Sequence, residues 1–152
     1  VMQSTTAVLE DLGVTFEVRV ASAHRTPAAT QQYVSDAEAR GCGVFICAAG
    51  MAAHLAGAVA AHTVKPVVGV PIDSGPLQGI DALLSTAQMP GGIPVATVAV
   101  GNAGAKNAGY LAAQILSLGN AELAAKLAQD RADNREKVAA QNDSVQASLG
   151  SS

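Results

Sequence analysis

Short apolar runs alternate with helix-compatible segments along almost the whole chain, and this alternation restricts the fold more than any other feature. The runs are Thr15–Val20, Val44–Cys47, Lys65–Val70 (ending at Pro71) and Val95–Val100. Helical patterns cover Met2–Leu12, stopped by Gly13, and Pro27–Arg40, with Thr26 as N-cap and Gly41 as terminator. Further helical patterns run over Ala52–Ala61, Ile80–Thr86, Ala103–Leu118 and Ala121 to about Gln146. The breakers Asp73-Ser74-Gly75-Pro76 and Met89-Pro90-Gly91-Gly92 mark loops, and Ser148–Ser152 reads as a frayed tail. Strands alternating with helices predict an α/β domain with a parallel, doubly wound sheet. Such a domain normally opens on a central strand, whereas this chain opens on a helix. Either the sheet has only four strands or a first strand is missing ahead of Val1, and the second is the expectation.

Charge then removes whole classes of function. The net charge is −3 with no basic run, so nucleic-acid binding has no electrostatic basis. No apolar stretch reaches the roughly 18 residues of a membrane span, and Val1-Met2-Gln3-Ser4 is not a signal peptide. Charged residues are only 14% of the chain, too few to cover a monomer's surface, so a buried homo-oligomer interface is expected. Cys42 and Cys47 read as reduced core thiols, which fits a cytoplasmic location, and with no cluster at ligand spacing no metal site is expected.

Chemistry concentrates in Ser22-Ala23-His24-Arg25-Thr26-Pro27, which follows the run Phe16–Val20 and leads into a helix opened by Pro27. An imidazole and a guanidinium thus stand together at the C-terminal end of a strand, where α/β sheets bind ligands. Such a histidine moves protons near neutral pH, and such an arginine fixes a phosphate or carboxylate. A plain surface or capping histidine fits the position as well. His54 lies in the small-residue turn Ala48–Gly57, whose amides suit an anion; the other reading is an inward ring held by a backbone partner. His62 suits a helix C-terminus, and Asp73 and Asp81 read as N-caps. Gly101-Asn102-Ala103-Gly104-Ala105 lacks the third glycine of a dinucleotide turn.

Four segments together resemble the PurE family of purine biosynthesis, in its bacterial mutase branch. They are Ser22–Pro27, Gly50–Gly57, Gln88–Val95 and Gly101–Ala108, and the similarity runs from Val1 to about Arg135. The resemblance implies a flavodoxin-like three-layer α/β/α domain spanning 1–152, which lacks the family's first strand and phosphate loop. It also implies a homo-octamer in which the C-terminal helix packs on a neighbour, and no cofactor. The implied substrate is an aminoimidazole ribonucleotide bearing an N-linked carbamate, whose carboxyl group migrates to the ring carbon. Carbon dioxide is released, trapped and attacked by that carbon, while His24 shuttles the proton. Substrate contacts are implied at Ser22, Ala23, Arg25, Ala49, Gly50, His54 and Leu55, with Arg25 on the phosphate and His54 and Leu55 on the carboxylate side. Ala49, Gly50 and Ala53 would let the backbone close a dry pocket.

This chain departs from the family pattern at Ala48 and Met51, where glycines are usual, and at Ala56, where proline is usual. Three other readings remain open here: a carboxylase using free carbon dioxide, a PurE-like domain acting on another nucleotide, and a non-catalytic nucleotide-binding domain. The Ala52-Ala53-His54-Leu55 segment favours the mutase over the carboxylase.

Overall fold

The computed structural model describes residues 1–150. Three parallel strands form its sheet: β1 (Phe45–Gly50), β2 (Val67–Ile72) and β3 (Ala96–Thr97), in that spatial order. Phe45 pairs with Val67 and Gly50 with Ile72, while β3 meets only Val68 and Gly69. The helices are α1 (Gln3–Asp11), α2 (Pro27–Ala39), α3 (Leu55–Ala60), α4 (Ile80–Ala87), α5 (Gly101–Ser117) and α6 (Ala121–Gly150).

Alternation along each strand divides the core between two faces. Phe45, Cys47 and Val67 pack with Val34, Ala37, Ala56 and Val59 of α2 and α3. Val68 and Val70 pack on the opposite side with Ala105 and Ala108 of α5. Helices therefore cover both faces, giving the flavodoxin-like α/β/α arrangement. Small residues bring the layers close. A β-carbon on Gly69 would collide with Thr86 of α4, and one on Gly109 would press on Val8 of α1. A third cluster, Val8, Leu12, Ala113 and Leu123, joins α1, α5 and the start of α6.

The strand expected at Thr15–Val20 is not in the sheet. Among the described residues its backbone has no ladder partner, and Phe16, Val18 and Val20 are exposed at alternate positions. Glu17 ties it down, accepting hydrogen bonds from Tyr33 (3.0 Å) and Arg40 (2.6 Å). The β-branched pattern is present, but a strand also needs a neighbour.

Other boundaries shift for local reasons. β2 continues through Pro71 to Ile72, because β3 ends at the level of Gly69 and Pro71 needs a ladder on one side only. The expected Val95–Val100 strand shrinks to two residues. Helix α3 starts at Leu55 rather than Ala52, since Met51 is left-handed (φ 56°) and the His54 N–H closes a tight turn on the Ala52 carbonyl. α6 runs through Ser148 to Gly150, where a frayed tail was expected; Ser151 and Ser152 lie outside the described residues.

The expected side-chain caps are also absent. The Thr26 hydroxyl turns back to accept the Ser22 N–H and to donate to the Ser22 carbonyl, both at 3.0 Å. Gly79 and Val100 stand at the N-caps of α4 and α5, with no cap bond from Asp73 or Asp81. His62 lies just past the end of α3 and is exposed.

Candidate active site

The loop carrying His24 is a self-tied turn. Besides the two Thr26 bonds, the Ser22 hydroxyl accepts the Arg25 N–H (3.1 Å) and the Ser22 carbonyl accepts the Thr26 N–H (2.9 Å). Ser22 and Ala23 are half-buried inside this knot, which leaves His24 and Arg25 projecting outward. The second loop leaves β1 at Ala49 and Gly50, turns at Met51 and enters α3 after His54. Leu55 packs onto the core beneath, and Ala53 is buried. Gly50 is required here by space, because a β-carbon would run into the Ser74 hydroxyl of the loop after β2.

These two loops converge on one contact. His24 Nε2 lies 2.6 Å from His54 Nδ1, with the rings edge-on at 78° and centroids 4.8 Å apart. An imidazole pair can take up, pass and return a proton near neutral pH. The reading of His54 as an inward ring held by a backbone partner is thereby corrected. It is exposed, and its partner is the His24 side chain, 30 residues back along the chain.

The remaining expected residues are arranged around this pair with uneven definition. Ala49, Gly50 and Leu55 share the His54 loop, while Ser22 and Ala23 shape the turn under His24. The Arg25 guanidinium is exposed, with no hydrogen bond or ion pair among the described residues. It is therefore unengaged and able to meet an anion. The expected dry pocket is not closed by this chain, since His24, Arg25, Met51 and His54 are all exposed. Two open clefts, each about 330–340 Å³, lie beside α6 and are lined by neither histidine. Among the described residues no His, Cys, Asp and Glu side chains gather into a metal-binding group.

Sequence reasoning missed two features. One is the His24–His54 contact itself; its only signal is that each residue follows an apolar run. The other is that the loop expected at Ser74 and Gly75 buttresses Gly50 and Met51.

Comparison with known proteins bears on this geometry. The AIR carboxylase family profile matches residues 1–137. The N5-carboxyaminoimidazole ribonucleotide mutase of Bacillus subtilis is 49% identical over 144 residues, covering 95% of this chain and 89% of that protein. The enzyme of the same name from Pseudomonas aeruginosa is 50% identical over 137 residues, covering 90% and 84%. Among solved structures, Treponema denticola PurE superposes with a TM-score of 0.84 at 27% identity, covering 93% of this chain and 87% of its own.

Proposed function

The chain belongs to the AIR carboxylase family, and from that footing we propose that it is a mutase of de novo purine biosynthesis. It converts the N-linked carbamate of 5-aminoimidazole ribonucleotide into the C4-carboxylated ribonucleotide. The observation that carries this reading is the meeting of His24 and His54 from two separate motifs. Relatives named as mutases, similar over most of both chains, supply the reaction.

Each residue then has a chemical task. The carbamate nitrogen needs a proton as its bond to the carboxyl carbon breaks, and the ring carbon must lose one after it attacks carbon dioxide. One imidazole, which can donate a proton in one half and accept one in the other, serves both halves, so His24 is the shuttle. Arg25, unpaired and outward, takes the substrate phosphate in a charge-assisted contact. Ser22 and Ala23 set the loop, and the backbone at Ala49 and Gly50 approaches the base. His54 and Leu55 face the migrating carboxyl group.

Carbon dioxide must be kept from water between the two halves, and the exposed histidines need a cover. A neighbouring subunit of a homo-oligomer, an octamer in this reading, supplies it. Two features support assembly. Leu77, Ile80 and Leu84 are exposed on or beside α4. From Asp133 onward α6 is exposed along its whole length, including Val138, Val145 and Leu149, and helices in proteins draw most of their stability from packing an apolar face. Among the described residues no helix is long and apolar enough to cross a membrane; the reading sets the enzyme in the cytoplasm with its pathway.

The test is to supply the N-linked carbamate ribonucleotide and follow the ring-carboxylated product with and without bicarbonate. Conversion independent of bicarbonate is expected. Turnover only of the uncarboxylated ribonucleotide with bicarbonate would assign the carboxylase reaction, and no turnover of either would leave a binding domain.

A further inference from the structure

The 2.6 Å separation between His24 Nε2 and His54 Nδ1 carries more than proximity. Two N–H groups cannot face each other at that distance, and two lone pairs would make no bond, so one proton lies between the rings. The bond therefore has a direction, and the direction fixes both tautomers. If His54 Nδ1–H donated, a neutral His24 would carry its hydrogen on Nδ1 and have no lone pair there. If His24 Nε2–H donates, a neutral His24 has its lone pair on Nδ1, and a neutral His54 has its hydrogen on Nε2. Among the described residues no hydrogen bond reaches either His24 Nδ1 or His54 Nε2, so these are the two atoms open to a ligand.

We infer that His54 is a positioning residue: its Nδ1 lone pair accepts the His24 Nε2–H and so keeps the proton-shuttling lone pair of His24 on Nδ1. The inference rests on the mutase reading and gives that reaction a defined proton route. With carbamate bound, His24 is an imidazolium. Its Nδ1–H passes to the exocyclic nitrogen as the bond from that nitrogen to the carboxyl carbon breaks, leaving the amine, carbon dioxide and a neutral His24. The ring electron pair at C4 forms the new bond to carbon dioxide. The C4 proton then returns to His24 Nδ1, and the C–H electrons restore the ring. The His24 Nε2–H stays hydrogen-bonded to His54 Nδ1 throughout. Without that acceptor, a neutral His24 is free to move its hydrogen to Nδ1, where it can no longer take the C4 proton. The same direction leaves His54 with an Nε2–H, the donor that a carboxylate oxygen needs.

Each ring hangs from a separately fixed stretch of backbone. His24 hangs from a turn tied by four hydrogen bonds through Ser22. The backbone carbonyl of His54 accepts the Ala58 N–H at 2.8 Å at the head of α3. The histidine contact is the only side-chain hydrogen bond joining these two loops among the described residues.

The test uses His54→Leu, which removes the acceptor, and His54→Asn, whose amide oxygen can stand near the Nδ1 position. His54→Leu is expected to lower kcat by roughly 100-fold, the scale of one general acid–base contribution. Its KM for the carbamate ribonucleotide should rise as well, because the Nε2–H donor to the carboxylate is lost, but by a smaller factor than kcat falls. His54→Asn should recover about tenfold of the lost kcat by restoring the acceptor. Nitrogen-15 NMR of the ligand-free protein above the imidazole titration range should find neutral His24 in the Nε2–H form, shifting to a tautomer mixture in His54→Leu. An intact kcat with a raised KM in His54→Leu, or wild-type His24 protonated on Nδ1, would overturn the inference. Absence of mutase turnover in the wild type would sink the functional reading, while the NMR result would still decide the positioning claim.

Discussion

The Ser74 hydroxyl fills the space that a side chain on Gly50 would need, with the Ser74 β-carbon and the Ile72 carbonyl close behind it. This contact locks the loop after β2 against the loop that delivers His54. Gly50→Ala should therefore push the two loops apart. We expect a loss of about 1–3 kcal/mol, the usual cost of overpacking, together with most of the activity. Gly50→Ala combined with Ser74→Gly should regain stability, because the obstructing side chain is gone. Urea midpoints of the single and double variants check this. A Gly50→Ala midpoint equal to wild type would mean the loops are not locked.

His24 projects from a turn whose hydrogen bonds involve Ser22, Arg25 N–H and Thr26, none of them through its own ring. Replacing the ring should leave that turn intact. His24→Asn is expected to abolish turnover while circular dichroism and oligomeric state stay unchanged. Retained activity would remove the shuttle role.

Much of the architecture was legible because periodicity reports burial. The apolar runs at Val44–Cys47 and Lys65–Val70 locate β1 and β2, whose faces are both covered. At Thr15–Val20 the same kind of signal misleads, since β-propensity describes side chains and cannot supply the missing ladder. The alanine run from Ala52 favours a helix, yet the left-handed backbone at Met51 and the turn at His54 delay it to Leu55. Motifs located His24 and His54 one at a time. Their contact depends on how two loops pack, which no local pattern encodes.

Arg25 extends from the His24 turn with no hydrogen bond or ion pair to its guanidinium among the described residues. Removing the guanidinium deletes none of these, so Arg25→Ala should melt like wild type. Loss of a charge-assisted phosphate contact should weaken substrate binding by about 1.5–3 kcal/mol, or roughly 10–100-fold. Calorimetric titration with the ribonucleotide measures it. Unchanged affinity would exclude Arg25 from the phosphate site.

Both cysteines are thiols, as expected of core cysteines. Burial pushes the Cys47 thiol up to about 12, and burial likewise raises the half-buried Cys42. The thiolate is the reactive species, so neither should alkylate readily at neutral pH. Iodoacetamide followed by mass spectrometry should find Cys42 modified slowly and Cys47 untouched until denaturant is added. Rapid labelling of Cys47 in the native protein would show that β1 opens locally.

Glu17 holds the Thr15–Val20 segment to α2, and its carboxyl is kept below the ordinary range by hydrogen bonds from Arg40 first and Tyr33 second. The folded state thus resists protonation that the unfolded chain accepts. The stabilising effect is fully present above the unfolded carboxyl pKa and is lost as pH falls through the lower folded value. Glu17→Gln removes this dependence. The melting temperature of wild type should exceed that of Glu17→Gln at neutral pH, and the gap should close from about pH 5 downward. Because Glu17 and Arg40 are both exposed, the gap should be small and should shrink further in high salt. A gap that persisted unchanged into acid would exclude the carboxylate charge as the source of the tether.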